Sequence, residues 1–394
     1  MAIGVGASES LMERDPLGKL MVFAPTRRAV SETFIRANLA GLPFQVEAYF
    51  GDEFPLAQPL RCLYSAGIFC SKVLTRLGWV RLAGWPAAVV ARWLIRLKQP
   101  DVVLAEFGFE AVRVMEACCW SGVPLVVHFR GSDASARNRI GLLEQRYRRL
   151  FAIALGVVVK SRPMALRLEA LGAATDRMVI SPSGANEKVF HGGTPARAEP
   201  IFLAVGRFVP KKGPLQTLEA FHRCLQLAGS KQAAELWMIG EGPLLPLARR
   251  YVERHGLQQQ VRFEGAGSQT FVAERMREVR AFVQHSQVAS DGDSEGSPVA
   301  VMEAQLSGLP VVATRHAGIP EVVLDGCTGL LVEEGDVAGM AKAMLQLLRD
   351  PALAERLGSA GRRRVNAHFT VERHLQAITA LLLKVQSKPG GQEQ

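Results

Sequence analysis

Two glutamates eight residues apart, Glu295 and Glu303, stand out in the 394-residue chain. They flank the start of an apolar segment, in the run Glu295-Gly-Ser-Pro298-Val-Ala-Val-Met-Glu303. Pro298 is a helix-start signal, so Glu295 falls in the preceding loop and Glu303 on the helix. Were both helical, eight residues would return them to nearly one face, ~12 Å apart. That is wider than the carboxylate pair of a glycoside hydrolase. Two acids so placed suit hydrogen-bond acceptors for hydroxyls at separate points on one elongated ligand. A glutamate among Val301, Met302 and Ala304 is a costly surface choice, which favours a functional role. Backbone N–H groups of Gly296, Ser297 and Val299 at such a helix start can bind an anion. About ninety residues earlier, Arg207, Lys211 and Lys212 follow the apolar run Ile201–Val205. Cations at a strand end facing a helix N-terminus suit a diphosphate. The alternative for each is a solvated loop charge.

Strand-like runs alternate with helical periodicity on both sides of these residues, the signature of parallel α/β domains. The first half offers strands at Leu20–Ala24, Val102–Ala105, Leu125–His128 and within Phe151–Val159. The second half offers strands at Ile201–Val205, Glu235–Ile239, Val261–Glu264, Ala281–Gln284, Pro310–Ala313 and Leu330–Val332. Helical stretches lie between them. A loop rich in Gly, Pro and Ala, HGGTPARAEP at 191–200, divides the two. The expected architecture is α/β, with two Rossmann-like doubly wound domains facing across a cleft. Residues 1–190 form the first domain, with 1–17 a flexible lead, and 191–370 form the second. Residues 371–394 form a final helical segment.

Hydrophobic residues make up 48% and charged residues 21%, which excludes a largely disordered chain. Six cysteines without a CxxC pair read as buried free thiols in a reducing cytoplasm rather than a zinc site. The N-terminus lacks a signal-peptide pattern, and no run of ~18 apolar residues spans a membrane. The net charge of +10 is uneven. Residues 1–190 hold 24 Lys/Arg against 16 Asp/Glu, the remainder 23 against 21. Residues 61–100 hold seven basic residues, no acid, and Trp79, Trp85 and Trp93. Such a stretch suits an anionic membrane surface, or else a basic helix pair with buried tryptophans. Nucleic acid is not expected, since no recognition motif accompanies the charge and aromatics are only 7%.

The segments LAVGRFVPKKG, MIGEGP and EGSPVAVMEAQLSGLPVVATRHAGIPEVVLDGCTGLLVEEGD resemble retaining glycosyltransferase family 4, of the GT-B fold. Glu295 and Glu303 match its paired-glutamate pattern. SETFI at Ser31–Ile35 and HFRGSD at His128–Asp133 resemble its exopolysaccharide-assembly members, such as the colanic-acid type. The resemblance implies sugar transfer from a nucleotide sugar (a UDP-sugar or GDP-mannose) to a glycan or lipid-linked saccharide, with retained configuration. Arg207 and Lys212 would then hold the diphosphate and Glu303 the ribose. Glu295 would hold the transferred sugar, and Gly296, Ser297, Pro298 and Val299 would cradle phosphate. Gly240, Glu241 and Gly265 would line the base pocket. His128 would face the sugar, with Ser31, Glu32 and Arg130 on the acceptor side. Helices after Phe369 would pack back on the first domain. No metal or other cofactor is expected, and the DxD triplet Asp291-Gly-Asp293 is set aside as a metal motif of a different fold. Location would be cytoplasmic, peripheral at the inner membrane face. Two features depart from the family pattern: TRRAVSETF stands where many members have a glycine-rich loop, and Ser183-Gly-Ala-Asn186 where many have Asn-Gly-Val-Asp. An epimerase of similar architecture, an inactive nucleotide-sugar-binding protein and a basic interaction protein remain alternatives.

Overall fold

The computed structural model describes residues 15–26, 33–54, 58–79, 82–229 and 233–387. The first half runs β1 (Lys19–Ala24), α1 (Thr33–Gly41), β2 (Gln45–Phe50), α2 (Pro59–Arg76), α3 (Trp85–Lys98), β3 (Val102–Glu106) and α4 (Gly108–Ser121). It continues with β4 (Leu125–His128), α5 (Ser132–Ser135), α6 (Arg137–Ile153), β5 (Gly156–Val159), α7 (Arg162–Ala170) and β6 (Met178–Ile180). The second half runs β7 (Glu199–Val205), α8 (Pro214–Ala228), β8 (Glu235–Ile239), α9 (Leu245–Arg254), β9 (Val261–Gly265), α10 (Gln269–Glu278), β10 (Val279–Gln284) and α11 (Val299–Ser307). It ends with β11 (Val311–Thr314), α12 (Ile319–Val322), β12 (Gly329–Val332), α13 (Val337–Arg349), α14 (Pro351–His368) and α15 (Val371–Gln386).

Each half builds one six-stranded parallel sheet, ordered β2-β1-β3-β4-β5-β6 and β12-β11-β10-β7-β8-β9. Parallel strands need crossover helices on both faces, which is why β3, β4 and β10 are buried at every position. Successive residues of β1 divide between two cores. Met21 and Phe23 join the core under α2–α4, while Leu20, Val22 and Ala24 join the opposite one. That second core is completed by Ile378, Leu381, Leu382 and Val385 of α15. Their helical spacing gives α15 one apolar stripe, and the stripe lies on the first sheet. The chain returns there at Thr370, where Ala185 N–H donates to Phe369 O and Val371 N–H to Ala185 O. Gly184, at φ +74°, lies so close to Thr370 that a Cβ would sit 2.4 Å from its carbonyl.

The ten strands read from sequence all form. The edge strands β2 and β6 were not expected. β2 is buried only in its second half and β6 spans three residues, so neither leaves a strong apolar pattern. The six cysteines are free, yet only Cys118 and Cys224 are buried, and Cys70, Cys119 and Cys327 are exposed. Among the described residues no helix is long and apolar enough to cross a membrane.

Candidate active site

The second sheet reverses its winding between β7 and β10. The loops after these two strands diverge and open a crevice at their carboxyl ends, the standard ligand position of such sheets. The β7 loop supplies Arg207, Lys211 and Lys212, and the β10 loop supplies residues 285–298. Lys212 Nζ lies 3.0 Å from Glu295 Oε2, and Lys211 Nζ lies 3.0 Å from Asp293. Lys211 Nζ also donates to Ser294 O at 3.3 Å. The two walls are therefore joined by two ion pairs. Asp293 is occupied by Lys211, and its N–H bonds Asp291 Oδ1 at 3.0 Å. Arg207 stands apart: it is exposed and engages no acid among the described residues.

The two glutamates sit in opposite electrostatic settings. Glu295 is 6% exposed. Burial opposes its charge, but Lys212 and Lys211 outweigh burial and hold the carboxyl below its usual value. Glu303 is 8% exposed, and among the described residues its side chain accepts one hydrogen bond, from Gln269 Nε2 at 3.4 Å. Burial dominates there and pushes it up to about 7. The structure puts only Glu303 on a helix. Pro298 is the residue before α11, so Glu295 lies in the preceding loop, as read from sequence.

That loop is also held by the first domain. Gly296 passes so close to the turn at Arg130 that a Cβ would sit 1.9 Å from its carbonyl oxygen. Ser135 Oγ lies 3.2 Å from Asp293 Oδ1 and accepts from Ser294 N–H at 3.1 Å. Arg167 donates to Ser294 Oγ, and Ser183 N–H donates to Ser297 Oγ. Behind the loop, His316 Nε2 accepts from Glu295 N–H at 3.0 Å while Nδ1 faces Glu334 Oε1 at 2.6 Å. The loop geometry fixes the tautomer: Nδ1–H donates to Glu334 and the other nitrogen accepts. Gly240 N–H donates to Gly265 O at 2.7 Å, so both predicted base-pocket glycines lie together at the ends of β8 and β9, with exposed Glu241 beside them.

The first sheet brings a different set of charges to its carboxyl edge. Glu106 ends β3, His128 ends β4, and Lys160 follows β5. Arg130 donates through Nε and Nη2 to Glu106 Oε2 at 2.9 and 2.6 Å. His128 Nδ1 lies 3.2 Å from the same oxygen. Burial opposes the Glu106 charge, yet Arg130 overcomes it and leaves the group ionised far below the usual range, while burial beside Arg130 and Lys160 holds His128 well below its own usual value. Lys160 Nζ donates to Ser181 O at 3.2 Å, and His374 Nδ1 lies 2.6 Å from Ser181 Oγ. Burial, reinforced by neighbouring cations, holds both Lys160 and His374 well below their usual values. The resemblance implies a His128 facing the sugar; in the structure its ring has no exposed surface and lies 5.5 Å from the ring of His374. Arg130, expected on the acceptor side, is engaged by Glu106. Asp133 accepts backbone N–H bonds from Gly108, Arg130 and Gly131, which explains the tight HFRGSD turn. Ser31 and Glu32 lie outside the described residues.

Glu106, Lys160, His316, Glu334 and His374 were not singled out from sequence. A charged residue ending a fully apolar strand was a legible signal for Glu106 and Lys160. Nothing local marks His374, which reaches the cluster only because α15 crosses back.

Two facing Rossmann-like domains with a cationic and acidic crevice define a glycosyltransferase of the GT-B architecture. The chain belongs to the glycosyl transferases group 1, whose family model matches residues 187–364. It is 31% identical over 292 residues to the amylovoran biosynthesis glycosyltransferase AmsK of Erwinia amylovora, covering 72% of this chain and 70% of that one. It is 30% identical over 288 residues, with the same coverage, to WcaL of Salmonella typhimurium, a glycosyltransferase assigned to colanic acid biosynthesis. The fold matches the crystal structure of Anabaena Alr3699/HepE in complex with UDP at a TM-score of 0.70 and 16% identity, over 93% of this chain and all of that one.

Proposed function

We propose that the protein transfers a sugar from a nucleotide sugar, a UDP-sugar or GDP-mannose, to a saccharide acceptor in exopolysaccharide assembly, with the anomeric configuration retained. One observation carries this reading: exposed Arg207, paired Lys212–Glu295 and buried Glu303 converge on the crevice between β7 and β10. The two curated relatives above and the nucleotide in HepE agree with it. Arg207 and Lys212 meet the diphosphate, with the N–H groups from Gly296 to Val299. As the bond from the anomeric carbon to the phosphate oxygen breaks, negative charge builds on the leaving group. Fixed cations aimed at that charge lower the barrier. The acceptor oxygen bonds to the anomeric carbon on the same face, and its proton passes to the departing phosphate. Glu295 accepts from sugar hydroxyls and Glu303 from the ribose. The cations already supply the diphosphate's counter-charge, so EDTA is expected to leave the rate unchanged. The acceptor is lipid-linked, and residues 61–100 rest on an anionic membrane surface.

Thermal unfolding with UDP, GDP and ADP, on wild type and Glu303→Ala, tests the donor site. A ligand at ~100 times its dissociation constant adds ~2.7 kcal/mol of stability. Stabilisation by UDP or GDP that Glu303→Ala abolishes is the expected result. Equal stabilisation of the variant would remove Glu303 from the site. The anomeric proton coupling of the product tests retention.

A further inference from the structure

A second concave surface lies outside the crevice. Helices α2 and α3 enclose an open groove of about 540 Å³, lined by Leu63, Cys70, Leu74, Leu82, Trp85 and Val89 among others, all apolar or thiol side chains. Gly67 lets the helices approach, since a Cβ there would meet Pro86 O and Val90 at 3.2 Å. Of the twenty large hydrophobic residues exposed among the described ones, ten fall between Leu63 and Leu97. Trp79, Trp85 and Trp93 are 59%, 55% and 46% exposed, so the alternative of buried tryptophans is not what the fold adopts. An apolar patch of this kind marks a surface that something covers.

Charge selects the occupant. Residues 61–100 carry no acid. Lys72 and Lys98 are paired with Asp52 and Glu47 from neighbouring segments, but Arg76 and Arg96 are exposed and engage no acid among the described residues. A second copy would bring like charges together, whereas an anionic amphiphile meets both the cations and the groove. Exposed tryptophans beside arginines suit the boundary between headgroup and hydrocarbon. Position completes the argument. The N-terminal turns of α2 abut the carboxyl edge of the first sheet: Ser65 Oγ donates to Phe50 O, the last residue of β2, and Tyr64 donates to Glu110 in the first turn of α4. The groove therefore begins at Leu63, beside the acceptor edge, and runs away from it along α2.

We infer that this groove seats the hydrocarbon chain of a lipid-phosphate-linked acceptor, leaving the saccharide at the edge of the crevice. This deepens the lipid-linked reading above and rests on it.

The test uses the full-length protein and farnesyl phosphate below its micellar concentration, followed by tryptophan fluorescence, with inorganic phosphate as the control. Saturable quenching or enhancement by farnesyl phosphate and none by inorganic phosphate is expected. Leu63→Gln/Val89→Gln, both on exposed positions, should weaken that binding at least about tenfold. Arg76→Gln/Arg96→Gln should weaken it only a few-fold and should chiefly reduce sedimentation with vesicles containing 30% phosphatidylglycerol, an effect that salt also produces. Thermal stabilisation by UDP or GDP reports separately on the crevice and is expected unchanged in both variants. Normal nucleotide binding with equal farnesyl phosphate binding in wild type and the groove variant would overturn the inference alone. A concentration-dependent dimer, broken by Leu63→Gln/Val89→Gln, would overturn it in favour of a second copy. Loss of nucleotide stabilisation in wild type would instead overturn the donor reading.

Discussion

Both sheets deliver charged residues to their carboxyl edges, but they use them differently. In the first sheet Glu106, His128, Lys160 and His374 are sealed at 3% exposure or less; Glu106 is held by Arg130 and Asn38, Lys160 and His374 by Ser181, and among the described residues the His128 ring nitrogens and His374 Nε2 find no hydrogen-bond partner. In the second, Lys212 and Glu295 are paired across an open crevice, Glu303 is buried with no directly bonded cation among the described residues, and Arg207 reaches solvent. A sealed cluster stiffens a domain edge and fixes the return of α15. An open set keeps charge available for a ligand. The same fold thus buries one set of charges and leaves the other at an open crevice.

The sharpest break in that comparison is Glu106→Gln. It leaves Arg130 buried without its carboxylate, so the expected cost is about 3–5 kcal/mol of stability. Urea unfolding measures it, and a loss under 1 kcal/mol would remove the architectural role assigned to the cluster. Arg207→Ala should do the converse. With no partner to orphan, it should leave stability unchanged and lower kcat by ~100-fold, about 3 kcal/mol of transition-state stabilisation. A variant with normal turnover would show that Lys212 and the loop amides suffice.

The pH dependence separates the two glutamates within the crevice. Glu303 is raised from the usual 4.5 to about 7, so the folded protein holds a proton that the unfolded chain releases. Stability without ligand therefore falls as pH rises from 4.5 through 7, by up to about 3 kcal/mol. Glu303→Gln should abolish that fall and be the more stable protein at pH 8. Glu295 has the opposite sign: its carboxyl is held low, so its contribution is lost on acidification below the usual value. Denaturant midpoints at pH 5 to 8 for wild type and Glu303→Gln decide this, and parallel profiles would contradict the burial argument. The smallest effect is expected at the join between domains. Ser135→Ala removes the hydroxyl that lies against Asp293 and accepts from Ser294 N–H. It should cost about 1 kcal/mol, seen as a roughly fivefold rise in donor KM at constant kcat.

The sequence by itself determined the strands, because strands covered on both faces must be continuously apolar, as in VVLAE and GVVV. It also pointed to the charged crevice, since Arg207, Lys212, Glu295 and Glu303 lie close to recognisable strand and helix boundaries. It did not determine β2 and β6, whose edge positions leave half their residues outside a core. Nor did it determine what His128 and Arg130 touch. That depends on Glu106, on Lys160 and on His374, brought together by three adjacent strands and by a helix that returns across the molecule. Short-range pattern reports which face of an element is covered. Which charges meet is decided by packing between elements far apart in the chain, and only the tertiary structure carries that.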